Sequence, residues 1–322
     1  MTHNQRFNIY IASCTKDGGI YQYEFSDSSE PKLINFTPMD RPMYMTRSDN
    51  KMHILLRAPF EDRSESGVVV YDIDSDGKLT NPGEVLSTGG DVACHLAVDG
   101  DNTYCVNYIS GSVIKMPSRL VFHTGKGVNV KRQEGPHTHF VGFTPDNKYL
   151  CVTDLGLDTI FIYDKDLNLI NKAQVPVGHG ARHLIFSDDG KYCFVANELE
   201  STVSVFSYSE ATLTLIDTKK CLPSDFERES TASAIRYEKG LIYVSNRGHD
   251  SISQMSFDGE KLELQRTISC FGKTPRDFMM IGDCIISTNQ DSDDVTFIEM
   301  SVGGDDALKN RIEIPAPICV IT

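Results

Sequence analysis

The chain has no tryptophan, and none of its nine cysteines forms a Cys-x-x-Cys pair. An odd number of cysteines cannot all pair within one chain, and the zinc-ribbon and dithiol-oxidoreductase spacings are missing. Cys105, Cys151, Cys193 and Cys284 instead sit inside apolar runs, where cysteine packs as a small hydrophobe. No apolar run approaches the roughly eighteen residues of a membrane span, and the N-terminus shows no basic-then-apolar leader. Cations are also scarce: 31 Lys and Arg against 45 Asp and Glu leave a net charge of −14. Nucleic acids and anionic bilayers reward clustered Lys and Arg, so neither is expected as a partner. Helical periodicity is nearly absent, with at most one short turn over 224–230. Together these absences predict a reduced, cytoplasmic, all-β protein.

What the chain does contain is a repeated phrase. Residues 135–154 read as an apolar strand, a Pro-Asp-Asn turn, a second apolar strand and a polar exit at Asp154. Residues 180–198 repeat it, with Phe143 matching Phe186, Tyr149 matching Tyr192, and His139 falling where Arg182 falls. Taking Met43, Cys94, His139, Arg182, Ser233 and Arg276 as equivalent gives a period within that of four-stranded propeller blades. The last phrase opens at Pro315–Thr322 and stops, whereas the N-terminal one begins with a second strand. Joining the two ends supplies a seventh blade and removes free sheet edges. The expected fold is therefore a seven-bladed β-propeller of four-stranded blades, one domain over residues 1–322, with Ile318–Ile321 pairing beside Tyr10–Ala12.

In a four-strand meander the start of the first strand and the end of the second lie at the same end of the blade. Phrase starts (His137, His139, Arg182, Arg276) and second-strand exits (Asp154, Asn197, Glu198, Asn246, Arg247, Asn289) should therefore gather around one funnel mouth. His139 or Glu198 could act as base or acid, and the arginines could hold an oxyanion, a carboxylate or a phosphate with forked donors. Asp154, Asn197 and Asn246 could equally be turn-formers. His123–Gly127 lacks the spacing and following helix of a phosphate loop and is expected to form a hairpin, with Arg132 a weaker candidate for the funnel rim. His137-Thr-His139 has no third ligand at a suitable spacing, so neither metal nor cofactor is expected.

Four ordered motifs carry a resemblance: Pro136-His-Thr-His139 before Thr153–Asp158, Gly180-Ala-Arg-His183 before Ala196–Val203, Val244–Ser251, and Thr274-Pro-Arg-Asp277. They resemble the seven-bladed propeller lactonases, a family that includes a 6-phosphogluconolactonase and a carboxymuconate-lactonizing enzyme, and the resemblance spans nearly the whole chain. It implies catalytic roles for His139, Arg182, Glu198 and Arg247. Substrate contacts at His137, Arg276, Asp154, Asn197, Asn246 and Asn289 are expected from the shared strand ends, and a small anionic lactone is the expected substrate. The foremost expectation is hydrolysis of 6-phosphogluconolactone; a muconate-type cycloisomerase and a non-catalytic interaction platform are the alternatives. Oligomeric state is left open.

Overall fold

The computed structural model describes residues 5–26, 29–301 and 303–322. Its strands form seven antiparallel sheets arranged as blades of a ring. Blade 1 is the closing blade: Pro317–Ile321 lies innermost, followed by Phe7–Ser13, Gly19–Ser26 and Ser29–Pro38. The pairs Tyr10–Ile321, Ile11–Val320 and Ala12–Cys319 join the two ends of the described chain in the expected register. In blades 2 to 7 the inner strands are Pro42–Ser48, Ala93–Asp99, Thr138–Phe143, Ala181–Phe186, Thr231–Glu238 and Pro275–Ile281. Each inner strand packs against that of the next blade, and the last meets blade 1.

Apolar runs are nearly continuous because both faces of every blade are covered. In blade 4, Leu150 and Val152 face blade 3, whereas Cys151 between them faces blade 5. This is the period-two alternation of a strand buried on both sides. One buried apolar cluster fills each of the seven blade interfaces. None of the nine cysteines is in a disulfide, and eight of them are buried.

Three local features differ from expectation. Blade 2 splits its outer edge into a two-residue strand, Leu79–Thr80, and a second segment, Leu86–Asp91, that also pairs with Glu65–Ile73. Residues 224–230 form turns and loop without helix, whereas short 3-10 turns occur at Leu155–Leu157 and Gln290–Ser292. His123–Gly127 is not a hairpin but an open connection between blades 3 and 4. Its histidine turns inward, with Nδ1 2.6 Å from Asp154 Oδ2, Nε2 2.9 Å from the Tyr163 hydroxyl, and its ring stacked on Phe161.

Candidate active site

Every inner strand carries an irregularity at the same place. Met43, Cys94, His139, Arg182, Arg276 and Ile318 each fall in a register shift opposite the end of the second strand, and Ser233 lies in the corresponding shift of blade 6. A bulge of this kind re-aims a side chain. Here it delivers His139, Arg182 and Arg276 to one small cavity in the channel.

A second device fixes the partner residue on the neighbouring strand. The residue before the inner strand is left-handed at Arg41, Val92, Gly180, Thr274 and Ala316. Its carbonyl accepts the N–H of the residue just past the second strand, as in Glu198 to Gly180 at 2.8 Å and Tyr108 to Val92 at 3.0 Å. Non-glycine residues in this conformation each cost about 1 kcal/mol or more. Gly180 is the position where glycine is required on both counts, since a Cβ there would lie 2.7 Å from Leu199.

These two devices bring Glu198 beside three arginines. Its Oε2 lies 3.0 Å from Arg182 Nε and 2.9 Å from Arg247 Nη2, and its Oε1 lies 2.5 Å from Arg132 Nη2. Arg132 also donates to the Tyr108 hydroxyl at 3.3 Å. Arg276 completes the set from blade 7, its Nη1 3.4 Å from Gln290 Oε1. Three guanidiniums thus bind one carboxylate and a fourth stands nearby, an excess of cations at the mouth of an acidic chain. Burial alone would raise the Glu198 carboxyl, but Arg247 and Arg182 hold it well below the usual carboxylate range. Burial and the neighbouring Arg247 cation bring Arg182 down to about 9, so it stays charged at neutral pH. Burial, reinforced by Arg182, pushes the His139 imidazole well below its ordinary value and keeps it neutral. Three buried nitrogens of the mouth have no hydrogen-bond partner: His139 Nδ1, Arg182 Nη1 and Arg247 Nε. Orphaned buried donors and acceptors are rare, and three in one mouth suit a polar ligand.

Of the second-strand exits, Glu198 and Arg247 belong to this group and the other four do not. Asp154, Asn197, Asn246 and Asn289 are fully buried. The Asn289 amide donates to Cys270, Asp294 and Thr296; Asn246 donates to Val244, Ser251 and Ser253; Asn197 donates to Thr202 and Ser204. Asp154 accepts the His137 N–H and meets His123. Several of these contacts reach the segment arriving from the preceding blade, so the exits stitch blades together, and it is the next residue that turns to the axis. His137 sits at the edge of the mouth, its ring stacked on Tyr108, Nδ1 3.0 Å from the Tyr108 carbonyl and Nε2 3.2 Å from Glu134.

Below the mouth lies a layer that the repeat pattern does not announce. Tyr44, His95, Phe140 and His183 each follow the bulge residue of their strand, and their rings contact one another across the channel. Burial lowers His95 to about 3 and His183 well below its ordinary value. Between this layer and the arginines is a cavity of about 20 Å³, the room of a single water, beside Cys94, His139, Arg182 and Arg276. On the far side a funnel of about 640 Å³ opens toward the opposite face. Among the described residues, no group of three or more His, Cys, Asp and Glu side chains gathers at metal-binding spacing, and no helix is long and apolar enough to cross a membrane.

The family model "Lactonase, 7-bladed beta-propeller" matches residues 8–322. The chain belongs to this propeller lactonase family. It is 32% identical to the 6-phosphogluconolactonase of Bacillus subtilis (strain 168), the match covering 97% of each chain. A solved protein from Lactobacillus plantarum superposes with a TM-score of 0.88 at 27% identity, over 98% of this chain and 99% of that one. The periplasmic gluconolactonase of Pseudomonas aeruginosa shares the fold, with a TM-score of 0.87 at 22% identity over 98% and 99% of the two chains. The propeller studied here is accordingly a lactone-hydrolysing esterase.

Proposed function

We propose that this lactonase hydrolyses a sugar-acid lactone, 6-phosphoglucono-1,5-lactone, in the cytoplasm, with His139, Arg182, Glu198 and Arg247 as its working residues. The observation that carries this is the mouth itself, where a neutral imidazole with an unpartnered Nδ1 faces cationic donors that still have unmade hydrogen bonds. The Bacillus relative, named for this substrate, supports the phosphorylated sugar lactone. Nine cysteines without a disulfide suit a reducing compartment.

His139 Nδ1 takes a proton from a water as its oxygen bonds to the lactone carbonyl carbon. The carbonyl oxygen, now negative, accepts from the open N–H groups of Arg182 and Arg247, which the fold has already oriented. Collapse breaks the bond to the ring oxygen, which recovers the proton from His139. One water is consumed and the open-chain acid is released. Glu198 is a poor base, because three guanidiniums stabilise its anion. Its part is to fix those guanidiniums and to offset the charge of the transient imidazolium.

The test is a stopped-flow or pH-stat comparison of freshly made 6-phosphogluconolactone, unphosphorylated gluconolactone and a muconolactone, each against its uncatalysed rate. The phosphorylated lactone should show the largest acceleration. Turnover of the muconolactone without acceleration of either sugar lactone would instead identify the cycloisomerase chemistry.

A further inference from the structure

We infer that Arg132 reads the terminal phosphate of the substrate at a subsite separate from the hydrolytic centre; this rests on the sugar-lactone assignment above. Arg182, Arg247 and Arg276 stand on or at the ends of blade strands, whereas Arg132 comes from the loop connecting blades 3 and 4. Its side chain is 39% exposed, against 3% for Arg182 and 15% for Arg247. Only its Nη2 is engaged, by Glu198 and Tyr108. Its Nη1 makes no hydrogen bond to a described residue, leaving a charge-assisted donor for a phosphate.

The loop presenting this donor is tied down. Gln133, next in the chain, is fully buried and donates to the Leu155 carbonyl at 2.9 Å and to Asp158 Oδ1 at 2.8 Å. Its own backbone N–H reaches the Asn129 carbonyl at 2.7 Å, and its carbonyl receives the Gly127 N–H at 2.9 Å. Glycine is needed at 127, because a Cβ there would lie 2.6 Å from the Gln133 side chain. A cation on such a support loses little freedom on binding, the condition for an effective recognition group.

Position separates Arg132 from the alternative, Arg276. Arg276 borders the 20 Å³ cavity together with His139 and Arg182, so it belongs to the hydrolytic centre and has no separate room for a phosphate. Arg132 joins two compartments, since it bonds Glu198 in the mouth and also lines a groove of about 580 Å³ between its own loop and the 220–231 segment. That groove carries Lys220 and Arg228 against Glu200, Glu227 and Glu229, so it has little net preference for anions, and the discrimination falls on Arg132 at its inner end. A lactone carbonyl at Arg182 and a phosphate at Arg132 would then sit on opposite sides of the Glu198 carboxylate, whose two oxygens hold the two arginines apart.

The experiment measures kcat/KM for phosphorylated and unphosphorylated gluconolactone with wild type, Arg132→Ala and Arg132→Lys. It also measures the Kd of 6-phosphogluconate and of inorganic phosphate by calorimetry. Any loss transmitted through Glu198 falls on both lactones and cancels in their ratio. The phosphorylated-to-unphosphorylated ratio should fall about 10- to 100-fold in Arg132→Ala, the worth of a charge-assisted hydrogen bond, and recover in part with lysine. The 6-phosphogluconate Kd should rise by a similar factor. An unchanged ratio with unchanged Kd would overturn the phosphate role and leave Arg132 as a support for Glu198. If wild type accelerates neither sugar lactone, the sugar-lactone assignment itself fails, and the phosphate Kd values still decide whether Arg132 binds the anion.

Discussion

His139 and His183 lie in one channel with ring centroids 5.3 Å apart, edge to face, and border the same small cavity, yet their closest partners differ. Both are buried, both are held neutral by that burial, and each has one ring nitrogen without a partner. His139 occupies the bulge of its strand and shares the mouth with Glu198 and the arginines. His183 stands one residue past the bulge of blade 5 and packs against His95 and Phe140. A shift of one position along the strand therefore separates a group placed among charges from one placed among rings. Burial and pKa alone would rank the two histidines together, and only the backbone irregularity distinguishes them.

The strongest way to break this comparison is to remove each ring in turn. His139→Ala should lower kcat by about 10²–10⁴-fold, the usual contribution of a positioned acid or base. His183→Phe, which keeps an aromatic ring in the layer, should leave kcat within a small factor of wild type. Glu198→Gln belongs with His139 on the activity scale. It should also lower stability by about 3 kcal/mol, because it strips the counter-charge from buried Arg182 and Arg247. Rates corrected for spontaneous hydrolysis, with thermal melts on the same samples, separate the two effects. Equal kinetic losses at 139 and 183 would show that the bulge does not set the chemical role.

The same one-residue logic marks what the sequence made legible. The seven phrases, the closing strand and the equivalence of Met43, Cys94, His139, Arg182, Ser233 and Arg276 follow from periodicity, and the structure puts all six at corresponding register shifts. The convergence of His139, Arg182, Glu198 and Arg247 was likewise accessible from strand direction. Asn197-Glu198 and Asn246-Arg247 were not separable, because each pair is polar throughout. Which member turns to the axis is decided by the bulge and by the left-handed residue before the inner strand, and neither leaves a residue-type signature beyond Gly180. Arg132 was marginal for a different reason: it sits in a connection that no other blade repeats. The Tyr44, His95, Phe140 and His183 layer was invisible because each blade contributes a single ring.

Asn289 sharpens the comparison between stitch and mouth with a smaller effect. Its amide spans three acceptors within blade 7 and at the incoming Cys270, so Asn289→Ala should cost about 1–3 kcal/mol of stability through unsatisfied buried groups. Its kcat and KM should stay near wild type below the melting transition. A selective rise in KM without loss of stability would return Asn289 to the substrate-binding residues.

The smallest effect expected is on the pH dependence of folding. His95, His139 and His183 all have folded-state pKa values below the ordinary imidazole value, so the native state leaves them neutral where the unfolded chain takes up protons. Below about pH 6.5 the unfolded state binds more protons, and stability must fall as pH falls. Above that point these groups contribute no slope. Glu198 acts in the same direction further into acid, since its depressed carboxyl stays ionised in the fold after the unfolded chain has begun to protonate near pH 4.3. Each histidine is worth up to about 1.4 kcal/mol per pH unit in this window. Urea unfolding at pH 7.5 and pH 5.5 should therefore show lower stability in acid, and His183→Phe should shrink that difference by about 1.4 kcal/mol, one proton over the unit below pH 6.5. His139→Ala should shrink it by a similar amount, because both rings are neutralised by burial despite their different neighbours. If only the His139 variant changed the pH dependence, His183 would have to be protonated in the folded protein, and the layer of rings would then hold a charge among its aromatic neighbours.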